Sequence, residues 1–194
     1  MQDSIQEAKR KLRVRMRAEV ASIPEQQRIS ASALACALLK IQRCWSAAQS
    51  ILFFAPLPEE LDVWPLLIEA LAVGKRVALP RFVGAARGYE ACQVINPATD
   101  LERGQFGIRE PLGRCARLSV DRLDLILVPG AAFDLQGGRL GRGRGYYDQL
   151  LQELPGTKCG VAFDEQVVDA VPMGEHDIRL DRILTPTRWV DLKS

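Results

Sequence analysis

Apolar positions along the chain follow two periods. Near the N-terminus, Ile5, Ala8, Leu12, Met16 and Val20 fall on one stripe at ~100° per residue. They predict a helix from Ser4 to about Ala21, with Ser4-Ile5-Gln6-Glu7 as a capping box. Pro24 suits the first turn of a second helix reaching about Arg43, with Ile29, Leu34, Leu38 and Ile41 as its buried face. The period then changes. Ser50-Ile51-Leu52-Phe53-Phe54-Ala55 is a continuous apolar run, the pattern of a strand buried on both faces of a parallel sheet. After the loop Pro56-Leu57-Pro58-Glu59-Glu60, Asp62 predicts the cap of a third helix ending near Gly74. Arg76-Val77-Ala78-Leu79 predicts a second strand stopped by Pro80, and Tyr89 to Ile95 a third. Asn96 to Ser119, rich in Gly, Pro and Arg, predicts an irregular excursion. Asp124-Leu125-Ile126-Leu127-Val128-Pro129 is the clearest buried strand. A glycine-rich loop and a helix from about Gly145 to Leu154 follow, and strands at Cys159–Phe163 and Arg182–Thr185 complete the pattern. Alternating strands and helices predict an α/β fold: a single domain with a central, mostly parallel sheet flanked by helices.

Composition narrows the function. Hydrophobic residues make up 47% of 194 and charged residues 26%, as in a folded globular chain. The net charge is +2, so no broad field draws in nucleic acid or a membrane surface, and an anionic ligand must be held by local groups. The five cysteines are odd in number and form no C-x-x-C pair, which argues against a disulfide framework or zinc site and for a reducing compartment. The charged N-terminal stretch does not read as a signal peptide, and no run approaches the ~20 apolar residues of a membrane span. The expectation is a cytoplasmic protein.

The segment Gly137-Gly138-Arg139-Leu140-Gly141-Arg142-Gly143-Arg144-Gly145-Tyr146-Tyr147-Asp148 carries most of the chemistry. It joins a buried strand to a helix, the place where open α/β sheets bind ligands. Glycines allow positive φ and close backbone approach, the helix start offers unpaired N–H groups to an anion, and the arginines add fork-shaped donors suited to phosphate. The spacing is neither a P-loop nor a dinucleotide turn. On the residues alone, a phosphate loop stands against a tight surface turn with solvated arginines.

Together, Val128-Pro129-Gly130-Ala131-Ala132-Phe133-Asp134 and Gly138 through Asp148 closely resemble the signature of the 5-formyltetrahydrofolate cyclo-ligases, also called methenyltetrahydrofolate synthetases. The pattern has few free positions. Other segments resemble the family in the same order: Lys9-Arg10-Lys11-Leu12-Arg13, Glu60 within Pro58–Val63, Gly107-Ile108-Arg109-Glu110-Pro111, and Gly160-Val161-Ala162-Phe163 followed by Glu165-Gln166, Val171-Pro172 and Glu175-His176-Asp177. Val63 stands where the family usually has threonine. The resemblance runs from about Lys9 to Thr185.

It implies an enzyme that uses ATP and Mg²⁺ to convert 5-formyltetrahydrofolate to 5,10-methenyltetrahydrofolate, acting as a monomer. By resemblance, ATP is bound by Lys9, Arg10, Lys11, Leu12 and Arg13, and by Arg139, Leu140, Gly141, Arg142, Gly143, Arg144, Gly145, Tyr146 and Tyr147. The folate is bound by Glu60, Phe106 and residues Arg142 to Tyr146, the magnesium ion by Asp148 and Asp177, and Arg142, Arg144 and Tyr146 act in the reaction. Geometry speaks separately to Lys9, which falls inside the apolar stripe of the first helix, with Arg13 at its edge: an inward lysine needs an anionic partner or must snorkel to water. Two other readings stand beside this one. A sugar-phosphate isomerase or acyl-CoA transferase-like enzyme shares such a layout without using ATP, and a non-catalytic folate- or nucleotide-binding regulator has no need of Asp148 and Asp177.

Overall fold

The structure is a computed structural model, and it describes residues 2–84, 88–104, 107–143 and 145–192. Three helices open the chain, α1 (Gln2–Ala21), α2 (Glu25–Lys40) and α3 (Arg43–Ala47), followed by β1 (Ser50–Leu52) and α4 (Trp64–Ala72). Strands β2 (Arg76–Val83), β3 (Gly88–Val94), β4 (Leu101–Arg103), β5 (Arg109–Pro111), β6 (Leu125–Val128), β7 (Ala132–Asp134) and β8 (Arg139–Leu140) come next. Helix α5 (Tyr146–Glu153) and strands β9 (Thr157–Val161), β10 (Val167–Val168), β11 (Arg182–Leu184) and β12 (Trp189–Asp191) complete the described chain. The main sheet runs β12-β11-β9-β6-β1-β2-β3. Its five inner strands are parallel, and the edge strands β12 and β3 pair antiparallel. The predicted α/β class and mostly parallel sheet are what is found.

The continuous apolar runs follow from this topology. Along β1, β2 and β6, successive side chains enter two different cores. Ile51, Val77, Leu79, Leu125 and Leu127 pack under α2, α3 and α4, while Leu52, Ala78, Ile126 and Val128 pack against Leu150, Leu151 and Leu154 of α5 and the segment around it. A smaller cluster of Met16, Ala132, Leu140 and Val171 fastens α1 to the second sheet, β10-β7-β8. Strand β1 has β2 on one side and β6 on the other, so the chain reverses its winding there. Ligand crevices open at such a switch point, beyond the carboxyl ends of the strands.

Several expectations are corrected. Pro80 does not stop β2, which continues to Val83 paired with β3. Arg76 N–H donates to Gln49 and Ala78 C=O accepts from Phe53, so even-numbered positions turn their backbone groups toward β1. The pairing with β1 has ended by Pro80, which loses no ladder bond there. Strand β1 itself stops at Leu52, although Phe53–Ala55 stay buried. Helix α2 ends at Lys40, and α3 is a separate turn. Ile29, Leu34 and Ile41 are exposed at 57%, 56% and 78%, and α2 instead buries Ser32, Ala35, Cys36 and Leu39. The small side chains let α2 approach the chain at Asp62, whose N–H donates to Ser32 Oγ at 2.9 Å. The stretch from Asn96 to Ser119 is not wholly irregular, since β4 and β5 pair in it as an antiparallel hairpin. Helix α1 begins at Gln2, ahead of Ser4, and Glu7 spends its carboxylate on Arg10 rather than on a capping box.

Candidate active site

A cavity of about 290 Å³ opens at the switch point. Phe54, Ala55, Leu57 and Glu60, from the loop after β1, form one wall, and Pro129, Arg139, Gly141 and Arg142, from the segment after β6, form another. Gly145, Tyr146, Tyr147 and Asp148 of the α5 N-terminus close the floor. Gly145 precedes α5 with φ +72°, and Gly143 has φ +105°, conformations that side chains other than glycine rarely adopt. Two of the loop's glycines are thus required by its path. The helix start brings its N–H groups and positive dipole end to this floor. Tyr89 adds an aromatic side to the cavity, 6.0 Å from Tyr146 and 5.6 Å from Tyr147, and Phe82 packs on Tyr146 at 5.2 Å without lining the cavity. A second, wider groove of about 790 Å³ runs beside the cavity along α2, sharing Ala55, Leu57, Glu60 and Arg109 with it.

Glu60 links the two sides. Its Oε2 accepts from Leu57 N–H at 2.9 Å, and its Oε1 accepts from Arg142 Nη2 at 2.8 Å. The other end of the fork, Arg142 Nη1, reaches Glu59 Oε1 at 3.1 Å. The Glu60 side chain is only 9% exposed, whereas that of Arg142 is half-exposed. Burial raises the Glu60 pKa above the usual carboxylate range, and Arg142 opposes that rise. Tyr147 is pushed well up by burial, so its hydroxyl stays protonated at neutral pH.

Deeper in the loop, Arg139 Nη2 donates to Asp148 Oδ1 at 2.8 Å, and Nη1 donates to Pro129 O at 3.1 Å. The support beneath is polar and complete at Asp134, whose Oδ1 accepts from Gln136 and Gly138 N–H and whose Oδ2 accepts from Val171 N–H. Gly138 must lack a side chain because a Cβ there would collide with that carboxylate.

Helix α1 reaches the site from outside. Lys9 is 7% exposed and ion-paired with Asp177, whose Oδ2 also accepts from Gly174 N–H at 2.6 Å. The inward lysine of the stripe thus has the anionic partner it needs. Arg13 Nε donates to Gly141 O at 2.8 Å, tying α1 to the loop. Burial lowers the Arg13 pKa, and the nearby charges of Asp177 and Asp148 oppose the shift, so both acids act on one guanidinium.

The predicted residues therefore divide. Glu60, Arg139, Gly141, Arg142, Gly145, Tyr146, Tyr147 and Asp148 line one cavity. Arg13 joins it through Gly141 O, Gly143 lies against Arg13, and Lys9 and Asp177 form the adjoining pair. Leu140 is buried in the small core with Leu12 packed against it, so both anchor α1 instead of facing the cavity. Arg10 and Lys11 lie on the solvent face of α1, paired with Glu7, and the fold does not bring them to the site. Phe106 and Arg144 lie outside the described residues. The family-like stretch Gly107–Pro111 brings Ile108, Arg109 and Glu110 to the cavity wall, with the Arg109 guanidinium 4.6 Å over the Trp64 ring where cavity and groove meet. Sequence reasoning missed Tyr89, which lines the cavity, and Phe82, which packs on Tyr89 and Tyr146. Nothing in the local pattern marks these aromatics, because an aromatic strand residue ordinarily reads as core.

Asp148 and Asp177 each commit one oxygen to a cationic partner. Oδ2 of Asp148 and Oδ1 of Asp177 have no hydrogen bond among the described residues. No cluster of three or more His, Cys, Asp or Glu suited to a metal occurs among the described residues. Two free carboxylate oxygens fit an ion such as Mg²⁺, which keeps waters and phosphate oxygens in its shell, better than one needing an all-protein cage.

Similarity to known proteins gives the family. The sequence profile described as the 5-formyltetrahydrofolate cyclo-ligase family matches residues 5–186. A 5-formyltetrahydrofolate cyclo-ligase of Mus musculus is 27% identical over 93% of this chain and 95% of its own. That of Escherichia coli K12 is 35% identical over 73% of this chain and 80% of its own. Among solved structures, the 5,10-methenyltetrahydrofolate synthetase of Aquifex aeolicus superposes with a TM-score of 0.85 at 34% identity, covering 96% of this chain and 93% of that one. The Mycoplasma pneumoniae synthetase, with a TM-score of 0.73 at 19% identity, shares the fold. With a match across nearly its whole length and the family's motifs gathered around one cavity, this chain belongs to the 5-formyltetrahydrofolate cyclo-ligase family.

Proposed function

We propose that the protein closes the one-carbon bridge of 5-formyltetrahydrofolate, giving 5,10-methenyltetrahydrofolate with conversion of ATP to ADP and phosphate. The observation that carries this reading is the facing of two kinds of wall across one cavity: the Arg139-to-Asp148 loop and helix start, built for phosphates, and the apolar and aromatic wall with Glu60, built for a ring bearing polar groups. A regulator would need no such opposition; an isomerase or CoA transferase would use the same anion loop without ATP, and the joint presence of the Lys9–Arg13 segment and the long glycine motif argues against it.

The chemistry explains the opposition. A formamide oxygen is a poor leaving group, so N10 of the folate cannot expel it directly. Transfer of the γ-phosphoryl group to that oxygen forms a P–O bond, breaks the β–γ bridge and yields an iminium phosphate and ADP. N10 attacks the formyl carbon, its proton is released, and the C–O bond breaks as phosphate departs. The formyl oxygen thus leaves on phosphate. Phosphoryl transfer requires mainly alignment and neutralisation of spread charge. Arg142, half-exposed at the junction of both walls, meets the transferring group and the folate. By the family resemblance Arg144 serves the same step. Lys9 and Arg13 bring positive charge from α1, and the N–H groups of the loop and α5 complete the anion cradle. Glu60 accepts an N–H of the folate, and Tyr146 stacks on a ring. No step calls for a protein nucleophile. Asp148 and Asp177 would hold Mg²⁺, which when bound neutralises phosphate charge. We read the protein as a monomer of the cytoplasm. No helix among the described residues is long and apolar enough to cross a membrane.

The test is to mix purified protein with MgATP and 5-formyltetrahydrofolate and follow the methenyl chromophore. Its appearance only when ATP is present supports the reading, and an unchanged folate under those conditions contradicts it.

A further inference from the structure

The resemblance to the family treats the loop arginines alike, as ATP ligands. The structure separates Arg139 from them. Its side chain is 2% exposed. It is enclosed by close backbone, since a Cβ on Gly130 would come within 3.2 Å of its Cγ and one on Gly141 within 3.2 Å of its Nη1. The ring of Tyr147 lies 5.8 Å from its guanidinium carbon. Both terminal nitrogens are already used, on Pro129 O and Asp148 Oδ1. Only Nε lacks an acceptor, and that atom is itself buried. A phosphate reaching the fork of Arg139 would have to displace the partly buried Asp148 carboxylate, which would leave Asp148 without its partner.

We infer that Arg139 is a positioning residue: its fork, braced on Pro129 O, clamps Asp148 by Oδ1 and so presets Oδ2 as a ligand for the divalent cation that accompanies the nucleotide. The inference rests on the proposed role of Asp148 toward that cation. Three features support it. The clamp spans only nine positions, across the loop's own turn, so it sets the loop's shape and the acid together. A side chain on Gly130 or Gly141 would crowd Arg139, so both neighbours are glycine. Holding a carbonyl and a carboxylate at once demands a planar fork, which lysine cannot supply. Arg139 therefore acts on the phosphates through Asp148, while Arg142 acts on them directly.

The experiment titrates metal and nucleotide separately on the full chain, without turnover. Binding of a non-hydrolysable ATP analogue is measured by calorimetry in EDTA, and Mn²⁺ binding to the protein–analogue complex is measured by electron paramagnetic resonance. For Arg139→Lys we expect analogue affinity in EDTA within twofold of the parent and Mn²⁺ affinity lowered at least tenfold. Asp148→Asn should lower Mn²⁺ affinity as much, and the double variant should be no worse than Asp148→Asn alone, because both act through one interaction. If Arg139→Lys does not fold, Arg139→Gln, which keeps a donor without the charge, replaces it. A tenfold loss of analogue binding in EDTA would make Arg139 a phosphate ligand and overturn the proposal. Unchanged Mn²⁺ affinity in the Arg139 variants with a loss in Asp148→Asn would reduce Arg139 to a packing role. Unchanged affinity in Asp148→Asn as well would remove the metal assignment beneath the inference, whereas formation of the methenyl product is scored independently and would stand or fall by itself.

Discussion

Arg139 and Arg142 stand three positions apart in one loop, and the fold uses them in opposite ways. Arg139 is sealed under the loop on a carbonyl and Asp148, while Arg142 spans the mouth with half its side chain in water, held by Glu59 and Glu60. Burial makes the difference. A sealed arginine has its acceptors chosen at folding and serves as framework, whereas one with half its side chain in water can turn part of its fork to a ligand. The same contrast separates Lys9, buried on Asp177, from Arg10 and Lys11, the next two residues of the helix, which face water.

The sharpest break in the comparison is Arg142→Ala. Turnover should fall by roughly 10²–10³-fold, the scale of losing one oriented charge-stabilising group, with a loss of stability smaller than that of Arg139→Met because the Arg142 side chain is half in water. Near-parental turnover would take Arg142 out of the mechanism. Arg139→Met should do the reverse to the fold, costing about 3 kcal/mol of unfolding free energy by denaturant titration because it strands Asp148. A loss no larger than that of Arg142→Ala would show the two sites to be energetically alike. Glu60→Gln should raise the folate KM about tenfold, equal to about 1.4 kcal/mol, and leave the ATP KM alone. Its stability effect has a defined sign. The folded-state pKa of Glu60 is raised, chiefly by burial, so the ionised form burdens the fold above that pKa and the burden lifts as pH falls through it. The parent should therefore gain midpoint temperature relative to Glu60→Gln on acidification from neutral pH to below the carboxylate range. A gap that moves the other way contradicts the burial argument. The smallest effect expected is that of Arg109→Met, which removes a solvent-exposed contact with Trp64 worth about 0.5–1 kcal/mol and should shift the folate KM by about twofold.

Much of the fold was legible because strands buried on both faces write themselves as unbroken apolar runs, as at Ile51–Leu52 and Leu125–Val128. Errors arose where a rule was local and its exception was tertiary. Pro80 continues β2 because its neighbour on that side has ended, a fact of sheet assembly. The apolar residues of α2 misled because α2 meets the sheet through its small residues. Strands β4 and β5 are three residues each, too short to show alternation. At the site, the inward turn of Lys9 could be read from helical spacing, yet its partner Asp177 stands 168 positions later, and no spacing rule links them. Phe82 and Tyr89 join the site only because β2 and β3 pair antiparallel past the switch point and meet Tyr146 there. Likewise, nothing local distinguishes the sealed arginine of the loop from the open one.

The central claim is that ATP activates the formyl oxygen itself. Its most direct test is a single turnover with 5-formyltetrahydrofolate carrying ¹⁸O in the formyl group, followed by mass analysis of the phosphate. The account predicts one labelled oxygen in each phosphate released. Label recovered in water, with unlabelled phosphate, would contradict it.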